Sequence, residues 1–189
     1  IPDIASSVGD APPARVREIR DDLGLSDRDV VALYVGSFAS YQGVDLLFAA
    51  IPLVVARASE VRFVIVGGSE AEIRSRRRDL EARGVADRVI FAGSIDPDEL
   101  PAWLAASDLL LSPRISGVNS PLKVLDYLKA GRAIVATDVP ANRLLLDGET
   151  AAFAAAEPET FAAQVVLMTN ETDLRAKLGT AGRKRFEAE

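Results

Sequence analysis

Apolar positions along the chain gather into five short, unbroken runs: Val30–Gly36, Val61–Gly68, Arg88–Gly93, Asp108–Ser112 and Ala133–Asp138. Their Val, Ile, Leu and Phe residues do not alternate with polar ones, which is the pattern of strands buried on both faces of a parallel sheet. A weaker sixth run begins at Ala151. Between the runs lie stretches with helical spacing, over 43–58, 70–84, 97–106 and 121–131. Strand and helix alternate, which predicts a doubly wound, Rossmann-like α/β domain: about six parallel strands with helices on both faces. Residues 1–28 read as a linker and leading helix, 29–156 as the wound domain, and 157–189 as two carboxyl-terminal helices packing on it.

In such a domain ligands bind beyond the carboxyl ends of the strands, near the point where the winding reverses. The loops there are Gly36–Gly43, Gly67–Ser69, Gly93–Asp96, Ser112–Ser120 and Ala136–Pro140. Glycines such as Gly36 and Gly67 let backbone N–H groups approach a phosphate, and they serve a plain strand-to-helix turn equally well. The fourth loop carries Arg114 and Asn119 and enters a helix with one residue out of place. Ser120 is a good N-cap and Pro121 suits the first helical position. Three residues after the cap, where a capping box wants Glu or Gln, stands Lys123.

A cation at that position opposes the helix dipole at a cost of roughly 0.3–1 kcal/mol, so Lys123→Glu should stabilise the free protein by about as much. An anion held above the helix start would account for the lysine. A pairing with Asp126, three residues on along the same face, would account for it without a ligand. Leu122, Leu125 and Leu128 are expected to pack on the sheet.

Composition narrows the chemistry. The chain has 189 residues, 49% hydrophobic and 26% charged, with a net charge of -6. That is globular, and the acidic balance argues against a nucleic-acid partner. The densest basic stretch, Ile73–Gly84, offers favourable i,i+4 pairs at Glu70–Arg74, Glu72–Arg76 and Asp79–Arg83 and reads as a solvated outer helix. Cysteine and histidine are both absent. This removes disulfides, thiolate metal sites and the usual general base. No apolar run approaches the ~18 residues of a membrane span. The chain opens at Ile1 in linker-like composition, as expected of a piece cut from a longer protein.

The ordered series of segments resembles the carboxyl-terminal, donor-binding domain of family-4 retaining glycosyltransferases, one half of a GT-B fold. "LYVGSFASYQGVDLLFAAI" is similar to that family's opening strand, loop and helix, and "FVIVGG" to its second strand. "VIFAGSIDPDELPAWLAASDLLLSP" is similar to its middle, and "NSPLKVLDYLKAGRAIVATD" to the segment that carries its acidic motif. The resemblance implies a nucleotide-sugar donor, no metal or other cofactor, and an acceptor held by an amino-terminal domain of the same parent chain. It implies donor contacts at Gly36, Ser37, Gln42, Gly67, Arg114, Asn119, Ser120, Lys123 and Asp126, with much of the catalytic machinery outside this chain. It also implies a cytoplasmic enzyme, peripheral to the inner face of the membrane through its other domain.

The sequence departs from that family in three places. Of the motif's two glutamates, Asp126 replaces the second, the ribose ligand, and Val118 replaces the first. The opening loop's arginine and lysine, which serve the diphosphate, are here Ser37 and Gln42. Lys123 is then the candidate replacement charge. The alternative is a scaffold or interaction domain that has kept the fold and lost the donor.

Overall fold

The computed structural model describes residues 11–117 and 121–188. Six parallel strands form its sheet: β1 (Val30–Val35), β2 (Val61–Val66), β3 (Val89–Gly93), β4 (Leu109–Ser112), β5 (Ala133–Thr137) and β6 (Ala151–Ala154). Each of the five strong runs and the weak one at Ala151 forms a strand. Their spatial order is β3-β2-β1-β4-β5-β6. The winding therefore reverses between β1 and β4, which places the expected crevice at their carboxyl ends.

The strands read as continuous apolar runs because neighbouring side chains feed two separate cores. Ala32, Tyr34, Phe63 and Ile65 point to one face, under α2 (Val44–Val55), α3 (Glu70–Ala82) and α7 (Pro158–Asn170). Val31, Leu33, Val64 and Leu110 point to the other, under α4 (Leu100–Ala105) and α5 (Lys123–Ala130). A leading helix, α1 (Pro13–Asp22), lies against α4, tied by Arg15 to Glu99 at 2.7 Å. A short turn of helix, α6 (Pro140–Arg143), follows β5.

The carboxyl-terminal helices are built into these cores. Phe161, Ala162 and Val165 of α7 are fully buried in the first. The last helix, α8 (Thr172–Ala188), contributes Leu178 to that core and packs Phe186 against the second.

The start of α5 differs from the sequence expectation. Its first helical residue is Lys123 and its N-cap is Leu122. Pro121 and Leu122 form a tight lead-in, their carbonyls accepting from Val124 at 2.8 Å and Leu125 at 3.0 Å. The expected cap, Ser120, lies outside the described residues. The helix also turns a different face to the sheet. Val124, Tyr127 and Leu128 are buried, while Leu122 is 68% exposed.

Candidate functional site

The site is built where β1 and β4 part. Their pairing ends at Tyr34 and Leu111, although β1 continues alongside β2 to Val35. Two backbone groups at the split would be left without partners, and α5 supplies both from one face. The Tyr127 hydroxyl accepts from the Val35 N–H at 3.3 Å and donates to the Leu111 carbonyl at 3.4 Å. Four residues earlier, one turn away, Lys123 donates from Nζ to the Val35 carbonyl at 3.1 Å and to Gln42 Oε1 at 3.1 Å. The ammonium also lies 4.8 Å from the centre of the Tyr34 ring. It reaches beneath Gly36, 3.2 Å from where a β-carbon there would stand.

The opening loop and the loop after β4 are fastened to each other. The Ile115 N–H donates to the Tyr41 carbonyl at 3.1 Å. The Arg114 guanidinium covers the Tyr41 ring at 5.3 Å, and its Nε donates to the Ser116 carbonyl at 2.8 Å. Gly43, at φ 74°, lies so close to the Pro113 carbonyl that a β-carbon would overlap it. The Tyr34 hydroxyl donates to the Ser37 carbonyl at 2.8 Å and fixes the loop from below.

The electrostatics of this corner are one-signed. No carboxylate among the described residues lies within ion-pair distance of Lys123 or Arg114, whose partners are carbonyls, an amide oxygen and tyrosine rings. Burial pushes the Lys123 ammonium down to about 8, and the nearby Arg114 charge adds to the effect. Burial also raises the Tyr34 and Tyr127 hydroxyls above the ordinary tyrosine range, so both stay neutral hydrogen-bonding groups. A half-buried cation with only neutral partners carries an uncompensated desolvation cost, which an anion would offset.

The structure brings Gly36, Ser37, Gln42, Arg114 and Lys123 to one place. The Gly36 N–H is not available to a ligand, because it donates to the Val66 carbonyl at 3.0 Å. The amides of Ser37 and Phe38 have no acceptor among the described residues, and the same holds for Ala39 and Ser40 further along the loop. Gly67 lies beside this loop, and its N–H is likewise used, by the Gly93 carbonyl at 2.7 Å. Its glycine is required because the Gly36 carbonyl occupies the space of a β-carbon. Asp126 is half-buried in the first turn of α5, three residues beyond Lys123. Asn119 and Ser120, with Val118, lie outside the described residues.

Sequence reasoning missed three tyrosines that shape the site: Tyr34, Tyr41 and Tyr127. The signal for one was present, since Tyr127 stands at i+4 from Lys123 on an otherwise aliphatic face.

A 3-2-1-4-5-6 parallel sheet, with two cations at its switch point that have no carboxylate partner among the described residues, defines a Rossmann-like domain. The chain belongs to the glycosyl transferases group 1 family, whose model matches residues 29–171. Alpha-D-kanosaminyltransferase of Streptomyces kanamyceticus is 34% identical over 143 residues, 72% of this chain and 35% of that protein. The phosphatidyl-myo-inositol mannosyltransferase of Mycolicibacterium smegmatis is 30% identical over 138 residues, 71% of this chain and 34% of its own length. The chain thus spans about a third of the length of these relatives.

Among solved structures, Anabaena HepE in complex with UDP and glucose superposes with a TM-score of 0.83 at 16% identity, covering 95% of this chain and 49% of that one. The carboxyl-terminal domain of a glycosyl transferase group 1 family protein from Francisella tularensis gives 0.81 at 16% identity, covering 99% and 98%. Both likenesses concern the fold. No described helix is long and apolar enough to cross a membrane.

Proposed function

We propose that this chain is the nucleotide-sugar-binding domain of a retaining glycosyltransferase of hexosyl-transferring type. The donor's diphosphate lies between the free amides of Ser37 and Phe38 and the Lys123 ammonium. Asp126 accepts hydrogen bonds from the ribose hydroxyls, as a carboxylate with two oxygens can. The observation that carries this reading is Lys123 itself: a half-buried ammonium, delivered by a helix to the loop at the switch point, with only neutral partners. The same corner of the sheet meets the loop whose usual arginine and lysine are here Ser37 and Gln42, so the charge enters from the helix and not from the loop.

The diphosphate leaves as the sugar departs, and its developing negative charge is what Lys123 and the loop amides stabilise. The acceptor is held by an amino-terminal domain of the parent chain. Among the described residues, four of the five exposed large hydrophobics, Tyr41, Ile115, Leu122 and Leu144, stand on segments at the carboxyl edge of the sheet. That is the edge a second domain would cover. The parent works at the cytoplasmic side of a membrane, touching it through the other domain, a reading supported by the lipid-directed names among the relatives.

Calorimetric titration with UDP, GDP and ADP tests the donor site. One of the three should bind, and the isolated chain should transfer no sugar. Silence toward all three would favour a scaffold that has lost its donor.

A further inference from the structure

Behind the anion-facing loop lies a buried polar network with no part in the donor contacts above. Asn142, on α6, is fully buried, as are Ser112 and Thr137 at the ends of β4 and β5. Asn142 Nδ2, with two protons to give, has three acceptors in reach: the Thr137 carbonyl at 2.9 Å, Thr137 Oγ1 at 3.1 Å and the Ser112 carbonyl at 3.3 Å. Its Oδ1 accepts from the Ser112 hydroxyl at 3.0 Å. The Thr137 hydroxyl in turn donates to the Arg114 carbonyl.

The direction of these bonds matters. A hydroxyl has one proton. The Thr137 proton has two carbonyls in reach, Ser112 at 3.4 Å and the nearer Arg114; neither can donate, so the hydroxyl is the donor and Arg114 takes the proton. Arg114 is the first residue after Pro113 in the loop that bears on Tyr41 and, through it, on the opening loop. A closed network of this kind gains little stability over an apolar core of the same shape, because its groups must first be desolvated. What it supplies is one fixed geometry.

We infer that Thr137 and Asn142 are positioning residues: they pin the Arg114 backbone and so hold the two loops of the anion site in register. The inference rests on the donor-site reading for its functional meaning, and its test has a ligand-free arm. Thr137→Val keeps the β-branched shape and removes the proton that Arg114 receives. Thr137→Ser keeps the proton.

In ligand-free protein, amide exchange at Ile115 should quicken by about tenfold or more in Thr137→Val and stay near the parent rate in Thr137→Ser. With whichever nucleoside diphosphate the parent binds, the affinity of Thr137→Val should fall by about tenfold while that of Thr137→Ser holds. Adding Arg114→Ala to Thr137→Val should then cost less than it does in the parent, because the two act as a unit. A Thr137→Val protein that melts lower yet keeps the parent's Ile115 exchange would overturn the inference and leave the network a purely structural one. Equal damage from Thr137→Ser would overturn it as well. If the parent binds no nucleotide, the donor reading falls on its own, and the Ile115 exchange still decides the positioning role.

Discussion

Helices α3 and α5 handle charge in opposite ways. α3 is dense in arginine and begins with a complete capping box, Ser69 and Glu72 each bonding the other's backbone N–H. Its guanidinium groups are occupied: Arg74 with Glu70 at 3.3 Å, Arg76 with Asp45 and over the Phe48 ring, Arg77 over Phe91. Among the described residues α5 has no capping side chain, and it begins on one lysine, half-buried and hydrogen-bonded only to neutral groups. Solvent and neighbours neutralise a dense charge cluster on an outer helix, whereas a single cation drawn under a loop keeps its field for whatever arrives. The count of charges along a segment therefore does not locate a cation that lacks a counter-ion, whereas burial and hydrogen-bond partners do.

The sharpest way to break that comparison is to reverse one charge on each helix. Lys123→Glu would set a carboxylate against the Val35 carbonyl and Gln42 Oε1, both acceptors, in place of two hydrogen bonds. We expect a loss of roughly 3–5 kcal/mol, as for an uncompensated buried charge, and no measurable nucleotide binding. Arg78→Glu on the exposed side of α3 should change stability by less than about 0.5 kcal/mol and leave the affinity alone. Urea unfolding and calorimetry on the two proteins decide it. Equal small effects would mean that Lys123 is as solvated as its α3 counterparts.

This expectation is opposite in sign to the one drawn from the helix-dipole pattern, and the reason shows what a sequence conceals. Strand runs, their parallel character and the helices between them were legible, because burial on both faces leaves a continuous apolar record at Val30–Val35 and Val61–Val66. The switch-point loops followed from the winding. The cap at α5 was not legible: Pro121 and Leu122 enter as a tight turn, and this rotates Val124 and Tyr127 inward in place of Leu122 and Leu125. Lys123 was found, but through a capping-box position that does not exist: it is the first residue of the helix and not the third after its cap. Its real surroundings, Val35, Gln42 and Tyr34, lie more than 80 residues away in the chain, as the 88 and 81 residue separations of its hydrogen bonds show. No local pattern encodes them.

The fastening between the two loops offers the next test. Gly43→Ala combines left-handed backbone strain of about 1–2 kcal/mol with a clash against the Pro113 carbonyl worth about 1–3 kcal/mol. Gly84, at φ 69° after α3, has open space where a β-carbon would go and should lose only the strain. Thermal or urea unfolding of Gly43→Ala and Gly84→Ala measures the difference. Comparable losses would show that the loop after β4 gives way freely. At the proposed donor site, Asp126→Ala should cost about 1.5–3 kcal/mol of nucleoside diphosphate affinity, the range for hydrogen bonds to a charged group, while stability changes by under about 1 kcal/mol. Unchanged affinity would remove Asp126 from the ribose.

The smallest effect is a pH dependence that α3 cannot produce. In the free protein Lys123 releases its proton near 8, against 10.5 for an ordinary lysine. Between those values the unfolded chain holds a proton that the folded one has lost, so this residue's contribution makes the free protein more stable as pH rises through the window. The groups that bond or cover Lys123 leave that window clear: burial raises Tyr34 and Tyr127 above the ordinary tyrosine range, and Gln42 does not titrate. A diphosphate beside the ammonium favours its protonated form, so binding near pH 8 must take up a proton. Affinity should then be flat up to about pH 7.5 and fall by no more than about tenfold per pH unit above 8, a range in which the ligand's own phosphates are already ionised. Titrations in buffers of different ionisation enthalpy count that proton directly. Arg78→Gln should leave the profile unchanged, and Lys123→Arg should flatten it at the alkaline end. A parent profile with no proton uptake between pH 7.5 and 9 would place the bound phosphates away from Lys123.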